Sequence, residues 1–202
     1  MVDYSIENEY REKGFDIICG VDEAGRGPLA GPVYAAAVIL PSDCVIEGLN
    51  DSKKLTEKKR EALFDEIKEK ALAYGIASAD EKEIDEINIL NATFLAMKRA
   101  IDSLSVKPDL ALIDGNQKPH TDIEDVTVIK GDAKSMSIAA ASVLAKVSRD
   151  RFMLEMAEKY PQYEFARHKG YGTKLHYEKI AQYGVCDIHR RTFLKKILGE
   201  QK

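Results

Sequence analysis

Apolar and polar positions alternate between two periods along the chain, and the switches between them outline its elements. IICGVD at 17–22 and VYAAAVIL at 33–40 read as two strands, separated by EAGRGPLAGP, whose glycines and prolines exclude a continuous helix. After a polar loop the period becomes helical. Thr56 is the predicted N-cap of TEKKREALFDEIKEKALAY, in which Leu63, Phe64, Ile67, Ala71 and Leu72 recur at helical spacing. YGIASAD at 74–80 is a short strand, and 87–105 is again helical through Leu90, Phe94, Met97 and Ile101, with Pro108 marking its end. DLALIDG forms a strand closing at Asp114, and VTVIK at 126–130 another, ended by Gly131 and Asp132. A helix over about 135–160 opens with SMSIAAASVLAKV, whose alanines and serines permit close packing on a sheet. Helices near 174–183 and 190–199 complete the chain. This order predicts one α/β domain over 1–202, a mixed central sheet flanked by helices, with a helical C-terminal region from about 163 to 202.

Length and composition support that reading and narrow the setting. With 202 residues and 45% hydrophobic content the chain can bury a substantial core. VYAAAVIL stops well short of the roughly 18 apolar residues of a membrane span. MVDYSIENEY is too polar and acidic for a secretory signal, so a cytoplasmic protein free of membranes is expected. Cys19, Cys44 and Cys186 form no CxxC pair, which argues against a zinc site and a disulfide framework, and Cys19 reads as a small buried hydrophobe. His168, His176 and His189 lack cysteines at ligand spacing and are expected to be structural or to face phosphate. The net charge of −4 conceals an asymmetry. Residues 1–129 carry 15 basic and 26 acidic side chains, −11, whereas 130–202 carry 15 and 8, +7. A basic C-terminal third could track phosphates beside an acidic pocket, although solvated helix faces alone can produce such a bias.

The acids carry the chemistry. In this reading Asp22, Glu23, Asp114 and Asp132 all end strands, where side chains face the crevice in which α/β sheets bind ligands. Gathered there, four carboxylates stay ionised only with cations between them, and hard oxygen donors suit Mg²⁺ or Mn²⁺. Two such ions roughly 3.5–4 Å apart can bind the attacking water and the leaving oxygen of a phosphodiester, which needs no nucleophilic side chain. Singly, each acid has an ordinary reading as well: Asp22 can begin a turn, Asp114 with Gly115 can be a turn pair, and Asp132 can cap a helix.

CGVDEAGRGPLAGPV at 19–33 resembles the signature segment of the ribonuclease HII family. DSKKL at 51–55, LIDGN at 112–116, KGDAKSMSIAAASVLAKVSRD at 130–150, HKGYGTKLH at 168–176 and HRRTF at 189–193 resemble that family too, in its order. The resemblance implies a ribonuclease H-like fold and a catalytic metal-binding set of Asp22, Glu23, Asp114 and Asp132, with two ions in the catalytic complex. It further implies hydrolysis of RNA in RNA·DNA hybrids and incision 5′ of ribonucleotides embedded in duplex DNA. The ends left are 3′-hydroxyl and 5′-phosphate, and the implied role is ribonucleotide repair during DNA replication. Gly25, Arg26 and Gly27 match the turn whose backbone approaches the 2′-hydroxyl, a contact that glycine permits by lacking a Cβ. Tyr171 matches the tyrosine that packs on the next deoxyribose and reads the RNA-to-DNA junction; a half-buried core tyrosine is its ordinary reading. Lys53, Lys54, Lys146, Lys169, Arg190 and Arg191 are candidate phosphate contacts without individual roles. A monomer acting on nucleic acid is expected. One alternative is a ribonuclease HIII-like enzyme, but that family typically has an N-terminal extension and a glutamate at the last metal position. Here that residue is Asp132, and about sixteen residues precede the first strand. The other is a non-catalytic hybrid-binding module, which the presence of all four candidate ligands disfavours.

Overall fold

The structure, a computed structural model, describes residues 2–199, apart from the Lys54 side chain. Met1 and residues 200–202, the ends of the expected domain, lie outside the described residues, as does the Lys54 side chain with its candidate phosphate contact. Five strands of the described residues form one sheet: β1 Ile18–Ala24, β2 Val33–Ile39, β3 Ala73–Ala79, β4 Leu110–Asp114 and β5 Glu124–Val128. Their order is β3-β2-β1-β4-β5, antiparallel from β3 to β1 and parallel from β1 to β5. Among the described residues seven α-helices accompany them: α1 Ser5–Glu12, α2 Glu57–Lys70, α3 Glu81–Asp102, α4 Met136–Lys159, α5 Phe165–His168, α6 Lys174–Tyr183 and α7 Arg191–Leu198. The mixed sheet, the flanking helices and the helical C-terminal region are as expected.

Side-chain alternation sorts the sheet into two faces. Cys19, Val21, Ala35, Ala37, Ala111 and Ile113 pack with Ala92, Ala96, Met97 and Ala100 of α3. The intervening Ala36 and Val38 pack on the other face with Leu63, Phe64 and Ile67 of α2 and with the alanine-rich start of α4. Gly20 belongs to this second face. A Cβ there would overlap the backbone of Ser137 and Ile138, so the absence of a side chain lets α4 lie directly on the central strand.

Several boundaries differ from the periodicity. α2 stops at Lys70, leaving Leu72 outside it and 59% exposed, because the chain turns extended at Ala71 to enter β3. α3 starts six residues earlier than predicted, at Glu81, where Asp80 accepts from the Lys82 and Glu83 amides and the Glu83 carboxylate accepts from the Asp80 amide, a capping box. Its first turns, EKEIDE, bury only Ile84, so no apolar period announces them. A kink at Asn88, φ +67°, separates that stretch from the periodic part, and the Asn88 side chain caps the periodic part by accepting from the Leu90 and Asn91 amides. β5 lies two residues earlier than VTVIK, and Ile129 is exposed. α1 escaped prediction because its eight residues SIENEYRE are mostly polar. It serves α4: the buried Glu7 accepts hydrogen bonds from the Ser135 and Ser137 hydroxyls and the Ser137 amide, placing a negative charge at the N-terminus of that helix.

Candidate active site

The β1–β4 register pairs Gly20 with Leu112 and Val21 with Ile113, and one further step sets Asp22 beside Asp114, on the face covered by α4. Asp132 arrives from a single 3₁₀ turn, Gly131–Ala133, after the left-handed Lys130 has reversed the chain beyond β5. Asp114 accepts from the Gly131 amide at 2.6 Å and the Asp132 amide at 3.4 Å, which ties that turn to the end of β4. Asp22, Asp114 and Asp132 consequently offer carboxylate oxygens that all lie within 4.8 Å of one another. Glu23 does not join this trio. As the next residue of β1 it points to the opposite face, 3.5 Å from the Arg26 guanidinium, although it still borders the crevice. The placement also departs from the strand-end expectation: Asp22 and Glu23 lie within β1, only Asp114 ends a strand, and Asp132 sits in a turn.

Burial, with the charges of Glu23 and Asp114 beside it, pushes the Asp22 carboxyl well above the ordinary range. Asp114 is raised by burial and by Asp132, and Glu23 by burial with Asp114 adding to it. At such separations an ionised pair costs about 3–4 kcal/mol at an effective dielectric constant near 20. Lys53, in the 3₁₀ turn Ser52–Lys54, offsets part of this from 3.3 Å away from Asp132. The donor set fits a hard divalent cation: carboxylate oxygens on one Mg²⁺ or Mn²⁺ stand about 3–4 Å apart, so small side-chain rotations close the trio around an ion.

Asp22, Glu23 and Asp114 border a crevice of about 210 Å³ lined also by Gly25, Arg26, Ser52, Lys53, Ser142, Lys146 and Tyr171. Gly25 adopts φ +97°, and a Cβ there would collide with the Arg149 side chain. At Gly27 the nearest atom to a built Cβ is Cε1 of Tyr171, at 4.0 Å. The sequence-predicted turn and tyrosine are therefore neighbours, and Tyr171 is 42% exposed.

Three features escaped the sequence reading. Ser142 of α4 lines the crevice with Asp22 and bonds the Ser52 hydroxyl at 2.7 Å, joining α4 to the Lys53 turn beside the acid. Arg149 and Arg190 are fully buried, so Arg190, a candidate phosphate contact, is instead an internal residue. A signal existed for Arg149, which stands one heptad beyond Ser142 and four residues before the buried Met153, a core position in α4. The three histidines are structural, all buried and packed together. The cysteines are free and Cys19 is buried, as expected.

The sequence profile of the ribonuclease HII family matches residues 19–196. A ribonuclease HII of Caldicellulosiruptor bescii is 58% identical over 196 residues, 97% of this chain and 95% of that protein. One of Acetivibrio thermocellus is 60% identical over 192 residues, 95% of this chain and 75% of that protein. Among solved structures, the ribonuclease H2 of Pyrococcus horikoshii superposes with a TM-score of 0.75 at 29% identity, covering 92% of this chain and 97% of that one.

Proposed function

The chain belongs to the ribonuclease HII family and is a ribonuclease H acting on nucleic acid, and from that premise we propose that it incises duplex DNA 5′ of embedded ribonucleotides as well as RNA in RNA·DNA hybrids. The carrying observation is the convergence of Asp22, Asp114 and Asp132, of which Asp22 and Asp114 line one crevice with Gly25, Arg26 and Tyr171. In this reading Asp22, Asp114 and Asp132 hold divalent metal, Mg²⁺ or Mn²⁺, with Glu23 completing the set from its neighbouring face. Two bound ions would supply an activated water and charge stabilisation at the leaving 3′-oxygen, giving 3′-hydroxyl and 5′-phosphate ends. The backbone of Gly25, Arg26 and Gly27 meets the 2′-hydroxyl, and the Tyr171 ring stacks on the following deoxyribose, where an added hydroxyl would clash. Lys53 and Lys146, on the crevice wall, meet phosphates. The protein would serve ribonucleotide repair as a cytoplasmic monomer; among the described residues no helix is long and apolar enough to cross a membrane.

The test is incubation of pure protein with duplex DNA containing one ribonucleotide, with Mg²⁺ or with Mn²⁺. A single cut on the 5′ side of the ribonucleotide, and none in an all-DNA duplex, is expected. Failure to cut with either metal, or equal cutting of all-DNA, refutes the reading.

A further inference from the structure

Two arginines in the interior raise a question that the carboxylates do not answer. A buried guanidinium loses its hydration, which protein interiors usually repay with a carboxylate partner. Arg149 and Arg190 have none within 4.0 Å among the described residues, and each is fully buried. Both spend their hydrogen bonds on backbone carbonyls of one loop, residues 25–32. Arg190 donates to the oxygens of Gly25 at 2.6 Å, Arg26 at 2.9 Å and Gly31 at 2.8 Å. Arg149 donates to those of Ala30 at 3.2 Å and Pro32 at 3.3 Å. The loop is further stitched by the Leu29 amide to the Gly170 carbonyl and the Gly31 amide to the Ile188 carbonyl. The amides of Gly25, Arg26 and Gly27, by contrast, have no acceptor among the described residues. Carbonyls are thus fastened inward while the donors of the turn stay free for a ligand.

Arg149 does more than fasten the loop. Its guanidinium fills the space that a Cβ at Gly25 would take, and its central carbon lies 5.6 Å from the centroid of the Tyr171 ring. It is therefore wedged between the turn and the aromatic ring, and its Nη1 bonds to nothing among the described residues. We propose that Arg149 is a positioning residue for ribonucleotide recognition, holding the Gly25–Gly27 turn and the Tyr171 ring at a fixed spacing and acting through them rather than on the substrate. The planar fork is essential to this task, because one plane must present edges to two carbonyls and lie against a ring, which an ammonium cannot do.

This inference rests on the substrate reading above, and one set of assays separates the two. Arg149→Lys and Arg149→Gln are compared with the unaltered protein on a single-ribonucleotide duplex and on a continuous RNA·DNA hybrid, in both the Tyr171 and Tyr171→Ala backgrounds. Stabilisation by Mn²⁺ is measured in parallel. The expected result is about a tenfold or greater loss at the single ribonucleotide, less than about threefold on the hybrid, unchanged Mn²⁺ stabilisation, and little added loss once Tyr171 is alanine. Equal losses on both substrates, or a loss that multiplies in full with Tyr171→Ala, overturns the inference. If Arg149→Lys does not fold, Arg149→Gln decides it by the same ratios, and if neither folds the arginine is a structural strut and the inference falls. Unaltered protein that leaves the single-ribonucleotide duplex uncut refutes the substrate reading itself.

Discussion

At Asp22 the requirements of stability and chemistry oppose each other. Its carboxyl is buried beside Asp114 and Asp132, and the surroundings penalise its charge. Asp22→Asn preserves the shape and an acceptor for the Glu23 amide at 2.7 Å, while removing a repelling charge. Its metal-free form is expected to gain about 1 kcal/mol, a rise in Tm of about 2–4 °C for a chain of this size. Its Mn²⁺-induced stabilisation is expected to shrink and its turnover to fall, which paired melting curves with and without metal would show. The motifs of the sequence singled out Asp22, Asp114 and Asp132, which the fold brings together, whereas the strand-end placement read there holds for Asp114 alone. The opposite orientation of Glu23 also comes from strand alternation, once β1 is known to run through it to Ala24 rather than stop at Asp22. Ser142 and Arg149 were concealed inside a helix read only for its small residues.

Among the elements, those with a long apolar period were predicted and those whose cause is a cap or a buried charge were not. α1 and the first turns of α3 depend on Glu7 and on the Asp80 capping box, features that periodicity does not register. Glu7→Ala leaves two buried serine hydroxyls and an amide without their common acceptor, and is expected to cost about 2–3 kcal/mol in urea unfolding. The approach of α4 to β1 at Gly20 is more demanding still. Gly20→Ala forces a methyl into the α4 backbone, and a loss of about 3 kcal/mol or more is expected, with weaker metal binding because α4 carries Ser142 into the crevice that Asp22 lines. Wild-type urea midpoints for either variant would contradict these contacts.

Over the whole molecule, the charge asymmetry was visible from composition, but the use of the C-terminal region was not. Leu29 packs with Ile180 and Leu194, and Ala30 packs with Met153, Tyr163 and Ile188, so this region grips the turn beside the acids. Its histidines form a relay: the Cys186 amide donates to Nδ1 of His189, Nε2 of His189 faces Nε2 of His176 at 3.1 Å, and Nδ1 of His176 meets the Tyr171 carbonyl. Burial pushes both rings down to about 4. As pH falls, the unfolded chain takes up these protons first, near its ordinary 6.5. The neutral pair therefore contributes fully above 6.5, and its contribution is lost progressively between 6.5 and 4. Urea midpoints should decline across that window, and His189→Gln should flatten the decline; an unchanged slope would remove the pair from the account.

Asp22 and Asp114 are 92 positions apart in the chain and become neighbours only through the parallel pairing of β1 with β4. Closing so long a stretch of chain is among the slower steps of folding. If Asp22, Asp114 and Asp132 hold metal as proposed, affinity for a divalent ion would develop in a nascent or refolding chain only after that closure is complete and the turn bearing Asp132 has formed. On that reading the ion would arrive late, as a reporter of finished topology rather than a seed for it, and a chain halted before residue 132 would have no tight place to keep one.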